Sequence, residues 1–194
     1  MSPHPDGTRT PDGYPAETGI WVFVLGEMCI FSLLFFSFCH DFAASREPFL
    51  QGQGTLDRAL GVGYTLLLLI GSLCVVVALH VARSGASRTV PRLYLAAAGT
   101  GILFAALKLM EYSAKVPQGF TPVSTPFFTY YYLLTGLHMA HVLVGVGVLL
   151  YLYRRSRRAH YGASDIKVFE NGGVVWHMVD SLWLIIFPLL YLIH

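Results

Sequence analysis

The fold is most clearly read from the apolar stretch Val174–Ile193, whose sequence is VVWHMVDSLWLIIFPLLYLI. About 20 predominantly apolar residues are enough for one α-helix to cross the roughly 30 Å hydrocarbon core of a bilayer. Spacings of seven and three residues place Glu170, His177 and Asp180 on one face of this helix. Because a carboxylate in hydrocarbon costs at least about 2.5 kcal/mol, this face is predicted to meet other helices or a functional pathway.

Four further apolar stretches precede it, so the chain is predicted to be a polytopic membrane protein. Of its 194 residues, 55% are hydrophobic and only 12% are charged, which excludes a soluble domain. The predicted spans are Ile20–Phe38, Ala59–Val81, Leu93–Tyr112, Phe127–Tyr153 and Gly172–Ile193. We therefore predict an all-α fold, in which residues 19–194 form one bundle of five transmembrane helices. Residues 1–18 are predicted to be a disordered polar arm rather than a cleaved signal peptide.

Basic residues predict the orientation of the bundle. The connections after the second and fourth spans and the N-terminal arm contain Arg9, Arg83, Arg88, Arg92, Arg154, Arg155, Arg157, Arg158 and Lys167. The opposite side has Arg46, Arg58 and Lys115. The positive-inside rule then places the N-terminus in the cytoplasm and the C-terminus outside. Arg154, Arg155, Arg157 and Arg158 are predicted to contact lipid headgroups, and the net charge of +2 gives no indication of nucleic-acid binding.

Polar residues within the other spans leave alternatives open. Glu27 is either a protonated, hydrogen-bonded carboxyl or a proton-handling one. His138 and His141 share a helical face, either as metal or haem ligands or, as is more common, as hydrogen-bonded structural residues. Lys108 and Glu111, one turn apart near the outer end of the third span, form an ion pair unless Lys108 snorkels to the interface.

Four motifs of this chain resemble those of subunit III of the haem–copper oxidase superfamily. The resemblance extends from Gly19 to His194. The first span reads GIWVFVLGEM and places Glu27 where the family has its buried glutamate, and the third ends in Glu111-Tyr112. The fourth contains LTGLHMAHVLVG, similar to the family's Leu-Thr-Gly-x-His-x-x-His-Val-x-x-Gly. The fifth contains WHMVDSLW, similar to Trp-His-x-Val-Asp-x-x-Trp.

Two departures from the long family members refine this resemblance. Mitochondrial-type members have seven spans, and this chain corresponds to the last five. The WHMVD variant and the ending LWLIIFPLLY, which contains Pro188, resemble the branch associated with nitric oxide reductases, which is called NorE-like.

The resemblance implies an accessory, non-catalytic subunit of a respiratory oxygen or nitric oxide reductase in the bacterial plasma membrane. Its implied partners are the catalytic subunit I and membrane lipids, including a bound phospholipid. Haem and copper are expected only on partner subunits, so no catalytic or metal-binding residue is assigned here. The residues interpreted as one buried, interhelical polar network related to proton supply are Glu27, His138, His141, Glu170, His177 and Asp180.

Two other functions are weighed against this one. A haem-b-binding membrane anchor that passes electrons to quinone requires histidines facing each other on different spans, such as His80 or His177 against His138. A small proton-coupled transporter fits the buried carboxylates, but the sequence shows neither an internal repeat nor a pair of broken helices.

Overall fold

The computed structural model describes residues 15–85, 88–158 and 160–193, with the backbone alone described for residues 15–18 and 20. The helices are α1 (Pro15–Ala44), α2 (Arg46–Gly54), α3 (Arg58–Arg83), α4 (Val90–Lys115), α5 (Pro126–Arg155) and α6 (Ala163–Tyr191). All except α2 are long and apolar enough to cross a membrane, and the described ranges contain no strand. The predicted all-α bundle of five spans is confirmed.

The helices extend beyond the apolar stretches that predicted them. α6 begins at Ala163 rather than Gly172, because its polar first turn is helical and the Asp165 carboxylate accepts a hydrogen bond from the Gly162 N–H at 3.0 Å. α1 begins at Pro15, within the segment predicted to be a disordered arm, and residues 1–14 of that arm lie outside the described residues. The short helix α2 was not predicted, because it is not apolar enough to read as a span.

Four helices form the core of the bundle, and α1 packs on its outside. α4 lies between α3 and α5, and α6 contacts both α3 and α5 on the opposite side of the ring. α1 contacts α5 and α6 and leaves large apolar side chains such as Leu33 and Phe36 exposed. Cys29 and Cys39 are also exposed on α1, so they do not fill the core. In a bilayer this outer surface of α1 meets lipid tails or a neighbouring protein.

Glycines from three helices surround the buried indole of Trp176 in α6. A Cβ atom added to Gly71 of α3, Gly101 of α4 or Gly145 of α5 would lie 3.2, 2.9 or 3.1 Å from that ring. Because glycine has no side chain, the three backbones approach the ring closely enough for it to occupy the centre of the bundle. The contact fixes how α3, α4 and α5 are positioned around α6.

Candidate functional site

The side chain of Lys108 is buried inside the bundle and has no exposed surface. Its Nζ donates to Glu111 Oε2 at 2.8 Å and to the hydroxyls of Tyr131 and Tyr191 at 3.0 Å each. A lysine ammonium has three N–H donors, so all three are used within the protein. The alternative that Lys108 snorkels to the interface is therefore wrong.

Both oxygens of the Glu111 carboxylate accept hydrogen bonds. Its Oε1 accepts from the Tyr131 hydroxyl at 2.8 Å, and its Oε2 accepts from the Tyr64 hydroxyl at 3.0 Å. We name these five residues the Lys108 cluster: Tyr64 of α3, Lys108 and Glu111 of α4, Tyr131 of α5 and Tyr191 of α6. The cluster joins all four core helices through one buried ion pair.

Aromatic rings surround the ammonium on several sides. The ring centroids of Tyr64, Tyr112, Tyr131, Tyr191 and Trp183 lie between 4.7 Å and 5.7 Å from Nζ. A cation over an aromatic face gains about 0.5–2 kcal/mol, more when it is desolvated. These contacts and the three hydrogen bonds offset the cost of removing the charge from water. The sequence predicted the ion pair but not its aromatic surroundings, because tyrosine and tryptophan occur at several positions of the neighbouring helices and their spacing does not show which of them reach Lys108.

Glu27 and His141 form a second polar contact, between α1 and α5. His141 Nε2 lies 2.9 Å from Glu27 Oε2, and its Nδ1 lies 2.7 Å from the Leu137 carbonyl oxygen. Because a carbonyl can only accept, Nδ1 carries a proton, and the contact at Nε2 contains one further proton on either the imidazole or the carboxyl. Both interpretations of Glu27 remain compatible with this geometry.

A third contact joins α6 to α3 through Ser72. The Ser72 hydroxyl lies 2.6 Å from His177 Nδ1. One carboxyl oxygen of Asp180, Oδ1, is buried without a hydrogen-bond partner among the described residues. Ser72 therefore connects His177, one of the polar residues that the sequence identified, to α3.

His138 and Glu170 lie apart from these contacts. His138 is completely buried, neither ring nitrogen has a hydrogen-bond partner in the described part of the chain, and Phe104 and Trp183 pack on its ring at 5.5 and 5.2 Å. Glu170 Oε1 accepts from Arg83 Nη2 at 2.7 Å, near the end of the bundle. The neighbours of His138 are thus aromatic residues rather than the facing histidine that a haem anchor requires.

The six residues interpreted as one network are thereby divided into separate contacts. Glu170 precedes His177 by seven residues, which is about 10 Å along a helix. Its side chain therefore lies near the end of the bundle, away from His177 and Asp180. Glu27 and His141 meet where α1 packs on α5, whereas His177 turns towards α3. Within residues 15–85, 88–158 and 160–193, no group of three or more His, Cys, Asp or Glu side chains is arranged to hold a metal ion.

The fold and these contacts define a polytopic membrane bundle whose buried polar groups connect its helices. The chain belongs to the cytochrome c oxidase subunit III family, which it matches over residues 13–194. It is 28% identical to cytochrome c oxidase subunit 3 of Alkalihalophilus pseudofirmus, over 97% of this chain and 91% of that protein. It is 27% identical to quinol oxidase subunit 3 of Bacillus subtilis, over 95% and 93% of the two chains. With cytochrome c oxidase subunit 3 of Synechocystis the identity is 30%, over 90% and 74%. The family predicted from the motifs is confirmed.

Asp180→Leu is expected to reduce stability more than Glu27→Gln. Leucine would replace the carboxyl group with a larger apolar side chain at a position that is only 6% exposed. In Glu27→Gln, the amide can donate to His141 Nε2 and preserve the contact between α1 and α5. Melting temperatures and monodisperse yields of both variants in detergent measure the difference. Equal losses would contradict the distinction drawn between the two carboxyls.

Proposed function

We propose that the protein is an accessory, non-catalytic subunit III of a respiratory haem–copper oxidase or nitric oxide reductase complex. It supports the assembly, stability, lipid binding and proton supply of the catalytic subunit I, which carries the haem and copper. The observation that carries this proposal is the family match over residues 13–194, with motifs similar to the family's on four of the five membrane helices.

The hydrogen bonds of the buried polar groups Lys108 and Glu111 support a role without catalytic turnover. An enzyme site needs reactive groups that face a cavity large enough for substrate. Here every donor of Lys108 is satisfied inside the protein, and Glu111 accepts from the lysine and two tyrosines. These residues hold four helices in place. The surfaces that remain for function are the outer faces of the bundle, where a larger subunit can pack.

The proposed contribution to proton supply is based on the Glu27–His141 contact. Both side chains are partly exposed, at 18% and 12%, on the outside of the bundle where α1 meets α5. An adjacent surface can therefore reach the Glu27–His141 contact, whereas the side chain of Lys108 has no exposed surface. A neighbouring catalytic subunit that covers this surface would lie beside this carboxyl–imidazole pair, and we assign the proposed role in proton supply to that pair.

The WHMVD motif and Pro188 favour the branch associated with nitric oxide reductases, whereas the relatives' names include cytochrome c and quinol oxidases. The proposal therefore includes both oxygen and nitric oxide as substrates of the complex. The arginine distribution favours a cytoplasmic N-terminus in a bacterial plasma membrane.

Deletion of the gene tests the proposed role. We expect the catalytic subunit in deletion membranes to keep its haem spectrum, while assembly yield falls or activity declines several-fold faster during sustained turnover. Plasmid-borne wild-type protein should restore both values. Unchanged activity and assembly in the deletion strain would contradict the proposal. So would the loss of a haem signal that the catalytic subunit does not carry, because that haem would belong to this chain.

A further inference from the structure

Two polar atoms in the interior of the bundle are buried without a hydrogen-bond partner among the residues that the structure describes. They are Nε1 of Trp176 and Oδ1 of Asp180, both on α6. The two residues are only 1% and 6% exposed, so neither atom is hydrated from the surface. Buried polar atoms are nearly always hydrogen-bonded in folded proteins, so each of these two atoms requires a partner.

The spacing of the two residues brings the two atoms close together. Trp176 and Asp180 are four residues apart on one helix, so their side chains lie on the same face, one turn apart. The indole N–H only donates a hydrogen bond, and a carboxyl oxygen accepts one. The roles of the two atoms are complementary, yet no hydrogen bond joins them within the described chain. A small molecule between them would satisfy both.

The neighbouring helices make this part of the interior polar. The ring carbon Cζ2 of Trp176, which lies on the same side of the indole as Nε1, is 3.2 Å from a Cβ atom added to Gly71 of α3. The Nε1 side of the ring therefore faces α3, where Ser72 follows Gly71. The hydroxyl of Thr100, on α4, contacts the same added Cβ atom. Two hydroxyl-bearing residues of α3 and α4 thus border the space next to the indole.

The chemistry of the two atoms selects water as the bound molecule. A cation would be repelled by the indole N–H, and an anion would meet the acceptor oxygen of Asp180. Water both accepts and donates, and internal waters commonly bind polar groups that are otherwise unpaired. We infer that one internal water molecule accepts a hydrogen bond from Trp176 Nε1 and donates one to Asp180 Oδ1. We name this position the Trp176–Asp180 water site.

The water site accounts for a carboxyl group at a core position of α6. The bound water supplies the hydrogen-bond donor that Oδ1 of Asp180 lacks within the described chain, and it accepts from the indole at the centre of the bundle. This role requires an acceptor oxygen at the end of the side chain, which Asp180→Asn keeps and Asp180→Leu removes. The two variants should therefore differ in whether the water is bound. The inference does not depend on the proposed function of the chain as an oxidase subunit.

Nuclear magnetic resonance of the full chain in detergent, with nitrogen-labelled tryptophan, tests the water site. The chain has three tryptophans, so three indole N–H signals are expected, and Trp21→Phe and Trp183→Phe assign them. The Trp176 N–H should give a cross-peak with water whose NOE and ROE have opposite signs, which marks a long-lived bound water. Trp21 is 58% exposed and should give no such signal. Asp180→Asn should retain the cross-peak, and Asp180→Leu should reduce its intensity roughly fivefold or more.

A second control separates bound water from hydroxyl protons that exchange with water. Ser72→Ala combined with Thr100→Val removes the two neighbouring hydroxyls, and the cross-peak of Trp176 should remain. Loss of the cross-peak in this double variant would overturn the proposal, because a hydroxyl proton would then be its source.

Three further results would overturn the water site. They are the absence of the cross-peak from the wild-type chain, its persistence at full intensity in Asp180→Leu, and an equal loss in Asp180→Asn. If Asp180→Leu does not fold, Asp180→Val replaces it. None of these outcomes involves the partner subunit, so the water site can fail while the subunit assignment stands.

Discussion

Lys108→Met is expected to lower the free energy of unfolding by about 3–5 kcal/mol, the range found when one partner of a buried ion pair is removed. Methionine matches the length of lysine but cannot donate to Glu111, Tyr131 or Tyr191. The carboxylate of Glu111, whose side chain is 7% exposed, would then be buried without its cation. Unfolding in detergent, followed through tryptophan fluorescence, measures the change, and Trp183 lies 5.6 Å from the lysine Nζ.

The double variant Lys108→Met with Glu111→Gln is the matched control for this prediction. It removes both charges and leaves a neutral amide, whose oxygen can accept from one of Tyr64 and Tyr131 and whose NH2 group can donate to the hydroxyl oxygen of the other. Replacing a whole buried ion pair by neutral groups is often tolerated, so most of the lost stability should return. If the single and double variants were equally unstable, the size of the side chain rather than the unpaired charge would be responsible.

Gly101→Val is expected to destabilise the bundle by about 1–3 kcal/mol, the usual cost of adding atoms to a packed core. The first added carbon would lie 2.6 Å from Val146 Cγ2 and 2.9 Å from the Trp176 ring. Both neighbours are rigid and buried, so α4 would have to move away from α6. The melting temperature in detergent reports this loss, together with a change in the emission of Trp176.

Gly99→Val provides the control on the same helix, two residues earlier. A Cβ atom at Gly99 has no atom within 4 Å, so the added side chain would enter open space outside the core. Both variants change helix propensity by the same amount, and only one inserts atoms beside Trp176. Equal stability of the two variants would show that the glycine contacts around Trp176 do not restrict packing.

Apolar length predicted the number of membrane-crossing helices correctly, because a helix needs about 20 apolar residues to cross a bilayer and few other structures contain such a stretch. The same signal could not give the helix ends. Asp165, Lys167 and Glu170 belong to the helical start of α6, although they are as polar as a loop. Hydropathy marks the hydrocarbon core, whereas helices continue into the interface.

The contacts of the buried polar residues could be predicted only in part from the sequence. Lys108 and Glu111 are neighbours on one helix, so their spacing alone predicted contact. Tyr64, Tyr131 and Tyr191 join them only because three other helices rotate these side chains inwards, and that rotation depends on tertiary packing. For the same reason, equal depth in the membrane did not decide whether Glu27 and His177 meet. Glu27 pairs with His141 of α5, and His177 contacts Ser72 of α3.

Affinity purification of the tagged chain from its native membranes tests the proposed subunit role most directly. The proposal predicts that a large haem-containing subunit co-purifies and gives the complex its Soret band and reductase activity, while the chain expressed alone has neither. A Soret band or reductase activity in the isolated chain, or purification from native membranes without any haem protein, would contradict it.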